Sequence, residues 1–341
     1  MLGIWNFLVR GCKVPAKNKW AVGVDLGGTK IIVAQVDTQG ILHRKLRLPT
    51  NASKGPAAVK SEVVAAVQKL VHEVDCLPVG IGVGVAGQVD ARSGAVRFAP
   101  NLGWSDEPLK EDLRKALKLP VFVTNDVRAA TWGEWLYGAG QGWDDLICLF
   151  VGTGIGGGVV SGGRIMTGCS NTAGELGHIT IDFNGPACRC GNQGCMEALA
   201  GGWAIARQAR EWVASDPSTG TFLLKLAWGR PGQITAKVVI EAAKAEDALA
   251  LRLIDRVAQA LSAGVASLVN AFNPCRFILG GGVIEGYPGF VKRVEEGVEP
   301  RALAVARAPL RIVRAQLHNN AGVIGAAALA LHSPKRSSGK K

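Results

Sequence analysis

From Trp20 to Val36 the chain is a run of β-branched and small apolar residues, broken once at Gly27-Gly28-Thr29-Lys30, and Ile41 to Leu48 resumes the same character. That pattern predicts two or three adjacent strands. Between Pro56 and Glu73 the period changes, with Val59, Val63, Val67 and Leu70 recurring every three or four residues, which predicts a helix. A buried-type strand follows at Val79 to Val85. The alternation repeats as a helix at 108–118, a strand at Val121 to Val123 and a helix from Asp126. Strands at Asp144 to Phe150 and Ile155 to Ser161 follow, joined through Gly152-Thr153-Gly154. The second half predicts helices at 196–213, 235–244 and 247–271, strands at Arg276 to Leu279 and 310–314, and a last helix from Asn320 to Leu331. Strand clusters alternating with helices predict α/β architecture, with two related domains and a cleft between them.

Length and composition agree with that reading. At about 100 to 200 residues per domain, 341 residues suggest two domains, and 48% hydrophobic against 19% charged content excludes a disordered chain. No apolar run reaches the roughly 18 residues of a membrane span. Ile4 to Val9 is apolar, but Arg10 follows that stretch instead of preceding it, the wrong order for a secretory signal. The expectation is a cytoplasmic protein with no membrane partner. The net charge of +12 is concentrated at the ends: Arg10, Lys13, Lys17 and Lys19 near the start, and Lys335, Arg336, Lys340 and Lys341 at the finish. The body is close to balanced and shows no basic stripe with interleaved aromatics, so no nucleic-acid partner is expected.

The glycine loops suggest phosphate chemistry but exclude two common forms of it. Val24-Asp25-Leu26-Gly27-Gly28-Thr29-Lys30 sets an acid at a strand end, then glycines that let backbone approach a ligand, then a hydroxyl and an ammonium. These groups suit a phosphate and its metal; an ordinary hairpin turn with an Asp cap is the alternative. Gly82 to Gly87 and Gly152 to Gly157 both fit G-x-G-x-x-G, yet neither opens a helix directly, which disfavours a dinucleotide fold. No G-x-x-x-x-G-K-[ST] occurs. What remains is a phosphate site built from hairpin turns in two halves of the chain.

His178, Cys188, Cys190 and Cys195 follow the spacing H-x9-C-x-C-x4-C, with Gly191 and Gly194 allowing tight folding between them. One nitrogen and three sulfur ligands make a closed tetrahedral set for structural Zn²⁺, with no open position for a catalytic water. Asp126, in Thr124-Asn125-Asp126 at a strand-to-helix junction, reads either as a helix N-cap or as a base.

The order of these elements carries a resemblance. Val22 to Lys30, Asn125-Asp126, Gly152 to Gly158, Gly174-Glu175-Leu176-Gly177-His178, Cys188-Arg189-Cys190-Gly191-Asn192-Gln193-Gly194-Cys195-Met196-Glu197 and Gly280-Gly281-Gly282 occur as in the ROK family of sugar kinases and repressors. The E-x-G-H element followed by C-x-C-G-x-x-G-C-x-E is specific to that family, and the resemblance spans about residues 20 to 332. It implies an actin-like ATPase (ribonuclease H-like) fold of two α/β domains around a cleft. A smaller domain is expected at 20–125 plus 320–332 and a larger one at 126–319, with an extension at 1–19 and a basic tail at 333–341. The implied reaction is transfer of the γ-phosphoryl group of ATP to a hexose hydroxyl.

In that reading Asp126 resembles the general base, and Asn125, Glu175, His178 and Glu197 resemble sugar ligands, with Asn101 and Gly87 as weaker candidates. His178 would serve zinc with one ring nitrogen and the sugar with the other. Asp25 resembles the residue that organises Mg²⁺. Gly27, Gly28, Thr29 and Lys30 resemble the first phosphate turn, Thr153 and Gly154 the second, and Gly281 and Gly282 the place where the nucleoside lies. Phe98-Ala99-Pro100-Asn101-Leu102-Gly103-Trp104 resembles the glucose-phosphorylating members more than the N-acetylhexosamine kinases, so glucose is the expected substrate. Kinases of N-acetylmannosamine or N-acetylglucosamine and a non-catalytic sugar sensor are the alternatives. Family repressors carry a DNA-binding domain ahead of the first phosphate motif, where this sequence has about twenty residues. Polyphosphate remains open as a donor, and a homodimer or homotetramer is implied. One departure stands out: the family usually writes N-D-A-N where this chain has Asn125-Asp126-Val127-Arg128.

Overall fold

The computed structural model describes residues 19–72, 74 and 76–332. The basic tail and residues 1–18 of the expected extension lie outside the described residues. The chain opens with an antiparallel meander, β1 (Trp20–Leu26), β2 (Lys30–Asp37) and β3 (Leu42–Pro49), so the glycine interruption is the β1–β2 hairpin. Helix α1 (Pro56–His72) returns the chain to β4 (Ile81–Val85), which lies parallel to β1. The four-residue period of α1 is its buried face: Val59, Val63, Val67 and Leu70 pack on Val22, Val24 and Leu26.

Residues 88–107 then form a three-stranded antiparallel flap, β5 (Gln88–Val89), β6 (Val96–Ala99) and β7 (Trp104–Glu107). The hydrophobic pattern did not predict it, because strands of two to four residues are too short to display a period of two. Helix α2 (Leu109–Leu117) leads to β8 (Val121–Asn125), completing a sheet of order β3-β2-β1-β4-β8.

Helix α3 (Asp126–Tyr137) carries the chain to a second sheet that starts with β9 (Leu146–Val151), β10 (Ile155–Ser161) and β11 (Arg164–Ile165). A helical layer follows: α4 (Met196–Ala200), α5 (Gly202–Ser215), α6 (Thr221–Leu226), α7 (Ala236–Lys244) and α8 (Ala248–Phe272). The helix expected over 196–213 is thus two helices, broken at Gly201. The break turns the Gly202 and Trp203 N–H groups onto the carbonyls of Gly152 and Thr153, at 3.0 and 2.9 Å. Strand β12 (Arg276–Gly280), α9 (Gly282–Gly286), α10 (Gly289–Val298), α11 (Ala304–Arg307) and β13 (Arg311–Arg314) complete the sheet in the order β11-β10-β9-β12-β13. Leu253, Val257, Leu261 and Val265 of α8 share one core with Ile147, Leu149 and Phe277 of this sheet.

The last helix, α12 (Ala321–Leu331), returns to the first sheet. Its alanine- and glycine-rich sequence permits backbone contact: a Cβ on Gly82 would stand 1.6 Å from the Ala326 carbonyl oxygen, so only glycine fits there. Helix α3 packs on α12 and β4 on one side and on β9 and β10 on the other, which makes it a wall common to both sheets. At its centre the fully buried Glu134 accepts from the N–H groups of Ala139, Gln316 and Leu317. Both places where the chain passes between the sheets are pinned by this one carboxylate. No helix among the described residues is long and apolar enough to cross a membrane.

Candidate active site

Strand register builds the site. Leu26 stands beside Val85 and Val85 beside Asn125, so β1, β4 and β8 end level with one another. Asp25 and the β1–β2 turn, Gly87, and Asn125-Asp126 therefore share one sheet edge, where ligands bind in parallel α/β sheets. In the second sheet Gly280 stands beside Phe150, so Gly281 and Gly282 lie next to the β9–β10 turn that holds Thr153 and Gly154. Gly281 has φ +89°, and a Cβ there would stand 2.5 Å from the Val151 carbonyl oxygen. The two glycine turns thus come from the ends of two different sheets, as the sequence predicted.

The first turn is shaped by the Gly27 N–H donating to the Lys30 carbonyl at 3.0 Å and the Thr50 hydroxyl to the Gly27 carbonyl at 2.7 Å. Asn101 packs against Gly28, where an added Cβ would come within 2.7 Å of its side chain. This predicted sugar residue therefore sits beside the first phosphate turn. The second turn is held by Glu197, whose Oε2 accepts the Ile155 N–H at 2.8 Å while Oε1 accepts the Trp203 indole N–H at 3.0 Å. Glu197 is thus a brace under Gly154, with both oxygens already bonded within the protein.

Asn125, not Asp126, caps α3. Its Oδ1 accepts from Val127 and Arg128 N–H at 3.0 and 3.1 Å, while its Nδ2 donates to the Gly87 carbonyl at 3.2 Å. The cap is supplied one residue earlier, and Asp126 is the first residue of the helix proper. Burial pushes the Asp126 carboxyl above the usual range, opposed by a 2.9 Å hydrogen bond from the Val127 N–H and reinforced by the nearby Glu175. Asp25 is pushed up to about 6 by burial and then by Asp126, with Lys30 and Lys45 pulling the other way. A buried carboxylate that the neighbouring Asp126 pushes up further, with Lys30 and Lys45 only partly offsetting it, fits a divalent cation beside Asp25.

The sugar-side candidates Glu175 and His178 flank a single tight turn, Leu176–His178, anchored by buried Leu176. Behind them lies a narrow cavity of about 40 Å³ walled by residues that include Asn125, Arg128, Asn171 and Glu175. Neither Asp126 nor His178 lines it. Asn171, which no sequence motif marked, joins that wall from a loop with φ +62°. Nothing in the sequence singles it out, because its partners Arg128 and Val89 lie more than forty residues away.

The four expected metal ligands do converge. The His178 Nδ1 and the three thiol sulfurs all lie within 4.8 Å of one another, with Nδ1 to Cys188 Sγ and Cys190 Sγ to Cys195 Sγ both at 3.7 Å. Zinc–sulfur bonds of about 2.3 Å imply a tetrahedral edge of roughly 3.8 Å, so the ligand set fits the ion. Gly194 permits the fold of this loop: it has φ +70°, and a Cβ there would meet the Asp182 carbonyl oxygen at 1.5 Å. Burial, with Cys190 and Cys188 crowding it, pushes the Cys195 thiol up to about 12, a cost that a bound dication would remove. His178 presents Nδ1 to the thiols, which leaves Nε2 for a second partner.

Comparison with known proteins then decides the family, since residues 21–333 match the ROK family. The chain belongs to the ROK family. It is 39% identical to a glucokinase of Halalkalibacterium halodurans over 312 residues, 90% of this chain and 94% of that one. A crystal structure of a ROK family glucokinase from Streptomyces griseus in complex with glucose and AMPPNP matches with a TM-score of 0.82 and 36% identity, covering 92% of this chain and all of that one. The xylose repressor of Bacillus subtilis is 28% identical over 320 residues, 92% of this chain and 78% of the repressor. The two sheets and their helices are thus the actin-like ATPase fold of ROK sugar kinases, a mixed α/β architecture of two domains.

Proposed function

We propose that this ROK protein is an ATP-dependent glucokinase that transfers the γ-phosphoryl group of ATP to the 6-hydroxyl of glucose. The observation that supports the reading is the alignment of strand ends, which brings Asp126 to the same sheet edge as Asp25 and the β1–β2 turn. The similarity to glucokinases over nine-tenths of the chain supports the same substrate.

Phosphoryl transfer demands positioning and neutralisation of charge. In this reading Gly27, Gly28, Thr29 and Lys30 hold the phosphates from one side and Thr153 and Gly154 from the other, with the nucleoside against Gly281 and Gly282. Mg²⁺ held near Asp25 supplies charge neutralisation on the phosphates. The 6-hydroxyl oxygen forms a bond to the γ-phosphorus as the bond to the β–γ bridging oxygen breaks and ADP departs, while the hydroxyl proton passes to Asp126. A carboxylate raised by burial is a stronger base than one in water, and such a base is worth roughly 10²- to 10⁴-fold in rate.

Glu175 and the Nε2 of His178 are proposed as the sugar ligands, and zinc holds His178 in place without entering the reaction. Asn125 and Glu197, whose side chains already carry internal hydrogen bonds, act by setting the Gly87 and Gly154 backbone, and Asn101 shapes the first phosphate turn. Residues 20–125 with 320–332 and residues 126–319 are proposed as the two lobes, joined through α3 and α12. A homodimer or homotetramer is the proposed assembly, which sedimentation velocity measures.

The test is the product. Incubation with Mg-ATP and glucose, N-acetylmannosamine, N-acetylglucosamine or fructose, followed by ³¹P and ¹³C spectroscopy, should give glucose 6-phosphate as the favoured product. Turnover confined to an N-acetyl sugar would move the substrate, and binding without turnover would favour a sugar-sensing role like that of the related repressors.

A further inference from the structure

Arg128 is the residue at which this sequence leaves its family's pattern, and it is 6% exposed. Its guanidinium makes three hydrogen bonds: Nη1 donates to Asn171 Oδ1 at 2.8 Å, and Nη2 donates to the carbonyls of Asn171 and Ala173, both at 3.0 Å. Asn171 passes the connection on, its Nδ2 donating to the Val89 carbonyl in flap strand β5 at 2.7 Å. The Asn125 amide donates to the Gly87 carbonyl, immediately before the same flap. A chain of hydrogen bonds therefore runs from the helix that begins with Asp126, through the loop that leads into Glu175, to the flap.

We propose that Arg128 is a positioning residue for the hexose: it clasps residues 171–173 and, through Asn171, strand β5, and so fixes the wall from which Glu175 faces Asp126. The inference rests on the sugar-kinase reading and deepens it.

Three features separate a clasp from a surface cation. All three hydrogen-bond acceptors are neutral oxygens in one loop, so the planar fork measures geometry instead of neutralising charge. Glu175, two residues beyond Ala173, is the carboxylate whose field steadies the buried charge. Arg128 and Asn171 also stand between the 40 Å³ cavity and a larger one of about 550 Å³ lined by Trp132, Trp135 and Arg164 among others. Without the guanidinium the two spaces merge, and the loop before Glu175 loses its support. Nothing in the phosphate turns touches this network, so its loss should be felt at the sugar and not at the nucleotide.

Arg128→Asn, Arg128→Lys, Asn171→Ala and the double variant Arg128→Asn with Asn171→Ala test this. The expected result is a glucose KM raised tenfold or more in each, with the KM for Mg-ATP within twofold and kcat within threefold of wild type. Lysine should fail to restore the arginine, because it lacks the fork. The double variant should be no worse than the weaker single one, since both residues belong to one chain of contacts. An unchanged glucose KM in the single variants, equal losses in both KM values, or additive effects would overturn the proposal. Should the wild-type chain phosphorylate no hexose, the kinase reading fails separately and the clasp is read from glucose affinity by calorimetry. A tenfold loss in the variants upholds it there, whereas unchanged affinity, or a wild-type chain that binds no hexose, overturns it.

Discussion

Glu134 Oε1 accepts the Leu317 N–H at 2.7 Å from a fully buried position, while Oε2 accepts from Gln316 and Ala139. One side chain of α3 thereby satisfies the backbone at both chain crossings between the two sheets. Glu134→Ala would strand three N–H groups in the interior at about 1 to 3 kcal/mol each. The expected loss is at least about 3 kcal/mol, or a Tm lowered by roughly 4 °C or more. Glu134→Gln keeps one acceptor oxygen and should lose less. Calorimetric unfolding measures both, and a Tm shift below 2 °C for the alanine variant would show that the crossings do not depend on this carboxylate.

Asp25 and Asp126 predict the acid side of the pH profile. Each is held above its unfolded value, Asp25 at about 6. Groups raised in this way contribute stability that is complete below the unfolded value near 3.8 and is lost as pH rises through the folded one. The metal-free protein should therefore lose stability between about pH 4 and 6 relative to Asp25→Asn, and Mg-nucleotide should recover more stability at pH 7 than at pH 5. The value of kcat/KM for Mg-ATP should rise with pH through an apparent pKa near 6 as Asp25 ionises. A flat profile between pH 5 and 8 would contradict the assignment.

The metal site predicts a substrate effect without a role in chemistry. One zinc per chain is expected by elemental analysis, and Cys190→Ser should reduce that content. Because His178 presents Nδ1 to the thiols, metal loss should free its ring and raise the glucose KM at least tenfold, in the range seen when supporting shells of metal sites are disturbed. Far-UV circular dichroism should stay nearly unchanged, since buried Cys188 and Cys195 form a small cluster of their own with Ala198, apart from the cores on both sheets. A zinc-free protein with an unaltered glucose KM would separate the metal from the sugar site.

Much of this architecture could be read from the chain because its signals are local. The period of α1, the β-branched runs of β1, β2 and β4, and the ligand spacing of the zinc loop are each set within about twenty residues. The flap escaped notice because β5 to β7 are too short for a period, and the break at Gly201 because its cause, the carbonyls of Gly152 and Thr153, lies about fifty residues away. The same limit explains the site residues. The strand-to-helix junction alone leaves Asp126 as a cap or a base and only the family resemblance points to the base, whereas the internal bonding of Glu197 and the part played by Asn171 depend on partners distant in sequence. The spare reading of Asp126 as a cap also needed coordinates to resolve, since only they show Asn125 making those bonds.

The most direct test of the account is the rate of Asp126→Asn, measured as ADP release with saturating Mg-ATP and glucose beside calorimetric binding of glucose to the same protein. The account predicts a kcat reduced roughly 10²- to 10⁴-fold with glucose affinity within about threefold of wild type. A variant that still turns over at more than a tenth of the wild-type rate would contradict the assignment of Asp126 as the base.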